Sequence, residues 1–229
     1  MCGRFTLTTD LARIQLQLGA TSSDVDAWAP RFNIAPTQNV PVAVFQGQGH
    51  DGHRHLTLMR WGLIPFWSKD PAIAHKLINA RSETAAEKPS FRNPFKTQRC
   101  LIPTDGFYEW QKIGKTKQPM RIFVKSREVF SMAGLWDSWK NPESGELLDT
   151  FTILTCGANS FVTPIHDRMP AILSPEAETL WLDPKSPPEK LLKLVTTAYP
   201  AREMDAYPVS TLVNNPRNDA PECALQWHP

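Results

Sequence analysis

Cys100-Leu101-Ile102-Pro103-Thr104-Asp105-Gly106-Phe107-Tyr108-Glu109-Trp110, followed by Met120-Arg121-Ile122-Phe123-Val124, decides the fold. Cys100 to Pro103, Phe107 to Trp110 and Met120 to Val124 are short apolar or aromatic runs, too brief for helices and bounded by turn residues. Lys112 to Lys117, with Gly114, closes a basic hairpin between the last two runs. The same grammar recurs outward. Val40 to Phe45 and Leu56 to Trp61 flank a polar loop, Gly47 to His53. Val129 to Trp136 and Thr150 to Cys156 flank the turn-rich Asn141 to Gly145. Cys2 to Leu7 reads as one more strand and Tyr207 to Leu212 as a last one. Arg31 to Thr37 has turn chemistry at both ends, and the aromatic, proline-bearing Trp61 to Trp67 suits no regular element.

Helices are few. Thr9 or Asp10 caps an apolar face of Leu11, Ile14 and Leu18 that Gly19 stops. Ser82 or Asn79 starts a short helix ending near Glu87. Ser174-Pro175-Glu176 is a helix start, and Ser186-Pro187-Pro188-Glu189 has capping-box spacing. Thr21 to Pro30 and the basic Pro89 to Gln98 read as loops, and Asn214 to Pro229 carries no assignable element. The expected class is α+β, with antiparallel β-sheets forming a barrel-like core flanked by short helices, in a single domain over residues 1–229.

The totals exclude several classes. At 229 residues, 41% hydrophobic and 21% charged, the chain has ample material for a core. No apolar run approaches the ~18 residues of a membrane span, and no basic-then-apolar leader opens the chain, so a cytoplasmic protein is expected. Four scattered cysteines, without a CxxC pair, fit free thiols in a reduced compartment. His50, His53 and His55 lack an acidic or thiol partner and a rigid frame, so no metal or other cofactor is expected. The net charge of +2 hides an asymmetry: residues 81–128 hold eleven Lys/Arg against five Asp/Glu, or +6, and the remainder fourteen against eighteen, or −4. A basic middle can face phosphate or be merely solvated.

Chemistry begins at the N-terminus. Removal of Met1 would leave Cys2 with a free amine and thiol on one residue, and cells routinely clip an initiator Met that precedes a small residue. The two groups titrate near ~7.7–8.0 and ~8.5, so each has a reactive fraction at neutral pH. Such an aminothiol captures an aldehyde twice, as a Schiff base and then, by attack of sulfur, as a thiazolidine. The alternative is a small apolar residue opening a strand. Arg4 shares a strand face with Cys2, where its charge would lower the thiol pKa and could hold a phosphate. Alternation puts the Glu109 carboxylate on the face opposite Tyr108 and Trp110, where it either pairs with a cation or works as an acid/base. His166, beside Asp167 and Arg168, is a proton shuttle or a structural loop residue. Asn79 and Arg81 share a face if extended, as an oxyanion donor and a phosphate clamp; otherwise they are a helix cap and a solvated cation.

Seven segments in order, MCGRF, RFNIAPT, WGLIPFW, LINARSET, CLIPTDGFYEW, IHDRMPAILSPE and YPVSTLVNN, spread from residue 1 to about 215, resemble the SRAP family, the SOS-response-associated peptidases. The resemblance implies a guardian of abasic sites in single-stranded DNA, including single-strand/double-strand junctions, in the DNA-damage response. It implies that Cys2 is nucleophile and crosslinking residue after self-removal of Met1, and that the link is a thiazolidine. Asn79 would orient Cys2 and the sugar oxygens, Glu109 shuttle protons in formation and reversal, and His166 assist sugar ring opening. Arg4, Arg81 and Arg168 would hold phosphates. Asn33, Pro36, Trp67 and Thr155 match positions near the DNA path, with Pro36 and Trp67 wedged against bases. Ser68 departs from members with a second Trp there, and Phe66 would be the neighbour to compensate. The absence of a long tail resembles the compact bacterial type, expected to be monomeric, cytoplasmic and nucleoid-associated when on DNA.

Two other functions compete. One is a thiol peptidase or N-terminal-nucleophile amidohydrolase that attacks peptide carbonyls with Cys2, using Glu109 and His166. The other is a non-catalytic single-strand binder that uses its Arg and Trp residues alone. The covalent reading requires a liberated Cys2 terminus exposed in a groove that grips the DNA backbone.

Overall fold

Fourteen strands and five α-helices form among residues 2–47 and 52–228, which the computed structural model describes. In order they are β1 (Phe5–Leu7), α1 (Leu11–Leu18), β2 (Ala20–Ser23), β3 (Arg31–Ile34), β4 (Asn39–Gln46), β5 (His53–Trp61), β6 (Asn79–Arg81), α2 (Ser82–Ala85), α3 (Arg92–Thr97), β7 (Arg99–Thr104), β8 (Gly106–Ile113), β9 (Thr116–Val124), β10 (Phe130–Lys140), β11 (Leu147–Gly157), β12 (Arg168–Pro170), β13 (Ile172–Leu173), α4 (Pro175–Leu182), α5 (Pro188–Thr196) and β14 (Met204–Pro208). The helices are short because their caps are close together. Asp10 accepts from the Arg13 amide at one end of α1, and Gly19 at φ 60° stops it at the other.

Two sheets carry the fold, and α+β with a barrel-like core is what they make. The first runs β14-β9-β8-β1-β3, antiparallel throughout. The second runs β12-β11-β10-β7-β4-β5-β2. Its strands β11, β10, β7, β4 and β5 close into a ring, because β5 and β11 also pair in parallel through Arg60↔Thr150 and Trp61↔Phe151. The short β6 lies parallel to β11, with Ile153↔Asn79 and Thr155↔Arg81. The sheets meet where Phe5 packs on Trp61 at 5.1 Å between ring centroids and Trp61 stacks on Phe151 at 6.3 Å. All three rings are fully buried. Burial of each is worth about 1.5–3 kcal/mol and each ring pair about 0.5–1.5 more. This aromatic anchor fixes the N-terminal segment three residues after Cys2.

Several expectations are corrected. The first strand begins at Phe5, not at Cys2. Thr21 to Ser23, expected as the start of a loop, belong to β2, a strand parallel to β5; the Thr and Ser residues show no apolar alternation, and Ser22 is tied to His55. Arg92–Thr97, also expected as loop, is a helix. Pro94 occupies its third position, where a missing amide hydrogen costs nothing, and Phe91 and Phe95 anchor it in the core. Ser186 does not cap α5: its hydroxyl donates to the Leu180 carbonyl at 2.7 Å and Pro187 takes the cap position. Asn79 lies in β6, and the short helix starts at Ser82. The last strand ends at Pro208, and Thr211–Asn214 is a 3-10 turn. No helix among the described residues is long and apolar enough to cross a membrane. The ring nitrogens of His55 meet Ser22 Oγ and Asp24 Oδ2, and His53 Nε2 meets the same Ser22 Oγ. His50 lies outside the described residues.

Candidate active site

Antiparallel pairing of β1 with β8 brings the N-terminus to Glu109. Phe5 lies opposite Phe107, and the Tyr108 amide extends the ladder by donating to the Arg4 carbonyl at 3.0 Å. Continuing that register places Glu109 opposite Gly3, beside Cys2. The third element is β6. Asn79 Nδ2 donates to the Cys2 carbonyl at 2.7 Å, while its Oδ1 is buried without a hydrogen-bond partner among the described residues. His166, in the loop before β12, lies near enough for its charge to favour ionised Glu109. Cys2, Asn79, Glu109 and His166 thus converge from four segments of chain.

Electrostatics there are set by burial. Glu109 is 2% exposed, and loss of solvent raises its carboxyl above the ordinary value, against the pull of His166. Burial, with the Glu109 charge second, also pushes the Cys2 thiol well above the usual thiol range. This corrects one expectation: burial outweighs every lowering influence, so the thiol does not lie below its ordinary value beside Arg4. In the chain that retains Met1, Cys2 is fully buried. His166 Nδ1 can engage either of two groups among the described residues. When neutral it accepts from the Arg168 amide at 3.0 Å; when protonated it pairs with Asp167 Oδ1 at 2.9 Å.

The expected phosphate ligands differ in availability. Arg4 Nη1 donates to Asn33 Oδ1 at 2.8 Å and to the Val213 carbonyl at 2.6 Å, and Nη2 to the Asn214 carbonyl at 3.3 Å. Burial lowers its pKa from the ordinary arginine value. Asn33 is fully buried, and its Nδ2 donates to the carbonyls of Val213, Asn215 and Asn218. Arg168 is forked onto Glu83 and also reaches the Thr155 carbonyl and Oγ1. Thr155 is buried, whereas Arg81 is exposed. Phe66 and Trp67 are 57% and 50% exposed, so two adjacent rings stand in solvent just before Ser68. Pro36 is half-buried and precedes Thr37, whose φ of 77° lies in the left-handed region.

Two contributors were not singled out from sequence. Asp219 accepts from the Phe32 and Asn33 amides at 2.6 and 3.0 Å and pairs with Arg31, strapping the C-terminal segment across β3. Glu83 sits inside a quoted motif, yet only its partner in space gives it a role. No spacing rule joins residue 219 to residue 31 or residue 83 to residue 168.

A family model described as SOS response associated peptidase (SRAP) matches residues 1–216. The chain is 46% identical over 224 residues to the abasic site processing protein YoqW of Bacillus subtilis, covering 97% of this chain and 98% of that one. It is 38% identical over 227 residues to the abasic site processing protein HMCES of Xenopus tropicalis, covering 87% of this chain and 67% of that one. A crystal structure of a protein from Bacteroides thetaiotaomicron superposes with a TM-score of 0.88 at 29% identity, covering 99% of this chain and all of that one.

Proposed function

The chain belongs to the SOS response associated peptidase family, and from that membership and the geometry around Cys2 we propose that it processes abasic sites in DNA by covalent capture on its N-terminal residue. The observation that carries the reading is the hydrogen bond from Asn79 to the Cys2 carbonyl beside a buried Glu109 whose carboxyl burial raises above its ordinary value. Hydrolysis first adds one water across the Met1–Cys2 peptide bond and leaves a free amine on Cys2. That amine adds to the open-chain aldehyde of an abasic sugar in single-stranded DNA, including at strand junctions. The carbinolamine loses water to give an iminium. The Cys2 sulfur then attacks the iminium carbon, and its proton leaves to a base, closing the thiazolidine. Sugar aldehyde and aminothiol thus give thiazolidine plus one water, with no oxidant or reductant.

Each residue has a task in this sequence. Glu109, whose proton affinity burial raises, donates the proton that turns the carbinolamine hydroxyl into water, and as carboxylate then stabilises the iminium and takes the thiol proton. This also answers the high thiol pKa, since the sulfur needs to ionise only as it attacks. Asn79 fixes the carbonyl side of Cys2, and its buried Oδ1 is an acceptor within the site for the new amine. His166 serves sugar ring opening as proton donor and acceptor. Arg81, Arg168 and Arg4 face the backbone phosphates. Pro36 and Trp67 wedge against bases, and Asn33 and Thr155 act through the segments they hold. An abasic site has no base to read, so phosphate grip plus stacking suffices.

The test is a denaturing gel of the protein incubated with a single-stranded oligonucleotide carrying one abasic site, with intact mass read in parallel. A shifted band lost in Cys2→Ala, from protein lighter by one methionine, supports the reading. Peptide turnover without a shifted band would replace it with the amidohydrolase reading. Salt-sensitive binding indifferent to Cys2 would leave only a single-strand binder.

A further inference from the structure

Glu83 is paired with Arg168, one of the arginines proposed above to hold a phosphate. Its Oε1 accepts from Arg168 Nη1 at 2.5 Å and its Oε2 from Nη2 at 2.9 Å. This is the paired, parallel geometry that a guanidinium offers to carboxylate and phosphate alike. The Arg168 side chain is 13% exposed and that of Glu83 45%, so the carboxylate is the solvent-facing half of the pair. Arg168 holds the Glu83 carboxyl below its ordinary range, with the nearby Arg81 charge adding to the effect. The cationic spot made by Arg81 and Arg168 is therefore partly cancelled by a resident anion before any DNA arrives.

We infer that Glu83 is an internal stand-in for a DNA phosphate, which weakens the grip of Arg168 on intact strands and leaves retention at a lesion to the covalent bond. The inference rests on the reading of this site as a DNA-processing centre. Its logic is one of search. A protein that must sample many undamaged nucleotides gains nothing from tight reversible binding, because each intact stretch then holds it back. Covalent capture supplies residence wherever an aldehyde is present, so the reversible part can stay weak. Glu83 makes it weak where the sugar-phosphate backbone passes the reactive residues. A phosphate reaching Arg168 has to displace a carboxylate of the same geometry, an exchange close to even in hydrogen bonds. Among the described residues Arg81 is in no such paired contact, and it remains the point of first contact.

The experiment is binding of an intact single-stranded oligonucleotide by fluorescence anisotropy across a salt series. The proteins are the parent chain, Glu83→Gln and Glu143→Gln. Glu143 is exposed in the turn before β11, and β11 runs from Leu147 to Gly157, which pairs with Arg168. That places the control about 30 Å away at ~3.3 Å per residue, with the same change in net charge. Glu83→Gln is expected to bind up to about ten-fold tighter at low salt, with a log–log salt slope steeper by about 0.7, one phosphate on a single strand. Glu143→Gln should match the parent. Unchanged or weaker binding by Glu83→Gln, or an equal gain in Glu143→Gln, overturns the inference. If Glu83→Gln melts early, Glu83→Asp decides: it keeps the charge but cannot span the fork, so a gain supports the stand-in and no gain rejects it. Crosslinking to an abasic oligonucleotide is measured separately. Its absence in the parent chain would remove the reading of the site, whereas intact-strand affinity tests Glu83 alone.

Discussion

Glu109 carries an ionisable group at 2% exposure, and its raised pKa has two consequences. The first is kinetic. Capture needs the Cys2 amine neutral, near or above ~7.7–8.0, and Glu109 protonated, below its raised value. The rate should therefore be bell-shaped in pH, rising with amine deprotonation and falling as Glu109 ionises. Glu109→Gln should lose the falling limb and slow crosslinking by about 10²–10⁴, with DNA affinity barely changed; quenched-flow gels across a pH series measure it. The second is thermodynamic. A carboxyl whose folded-state pKa lies above the unfolded one contributes stability that is intact below the unfolded value and lost as pH climbs through the raised one. Glu109→Gln should thus melt higher than the parent at neutral pH, by about 2–4 °C per kcal/mol relieved, and no higher near pH ~4. Thiol labelling gives a further check: all four cysteines are buried, so a chain retaining Met1 should react with a maleimide only on unfolding. Residue types at this site were legible because their chemistry is. The Glu109 environment was not, since burial and the residues of the loop before β12 create it.

At the scale of elements, β10 shows how tightly the ring is packed. A Cβ on Gly134 would stand 2.2 Å from Ile102 Cδ1, 2.9 Å from Cys100 Sγ and 2.9 Å from the Thr152 carbonyl oxygen. One on Gly157 would meet nothing within 4 Å. Gly134→Ala should cost about 1–3 kcal/mol by overpacking, and Gly157→Ala should be near neutral, as read by urea unfolding. Local signals were legible where an element carries its own cap or period. Asp10 with Gly19, Ser174 with Pro175, and the β8–β9 hairpin around Gly114 all lie where their residues place them. They failed where partners at a distance decide. Polar β2 is a strand because β5 offers it an edge, and α3 forms because Phe91 and Phe95 find the core and the Arg99 guanidinium reaches back to the Phe95 carbonyl at 3.0 Å.

The whole molecule ties its far end to its start. Arg4 donates to the carbonyls of Val213 and Asn214, Asn33 holds Val213, Asn215 and Asn218, and Asp219 caps the amides of Phe32 and Asn33. Asp219→Ala should cost about 1–3 kcal/mol by orphaning these donors and should lower crosslinking through the slackened Arg4, with Tm and gel yield as the readouts. The barrel-like class was visible in the spacing of hairpins, but its closure was not, because the closing pair joins Arg60 to Thr150 across most of the barrel sequence. That closure also sets a timetable during synthesis. At about 5–20 residues per second, the ribosome takes roughly 5–20 s to travel from β5 to β11. Throughout that interval the Arg60–Trp61 end of β5, beyond the stretch that β2 covers, lacks its partner, and Asn79 waits without the strand that seats it. In a nascent chain of this design the ring therefore stays open until β11 has emerged.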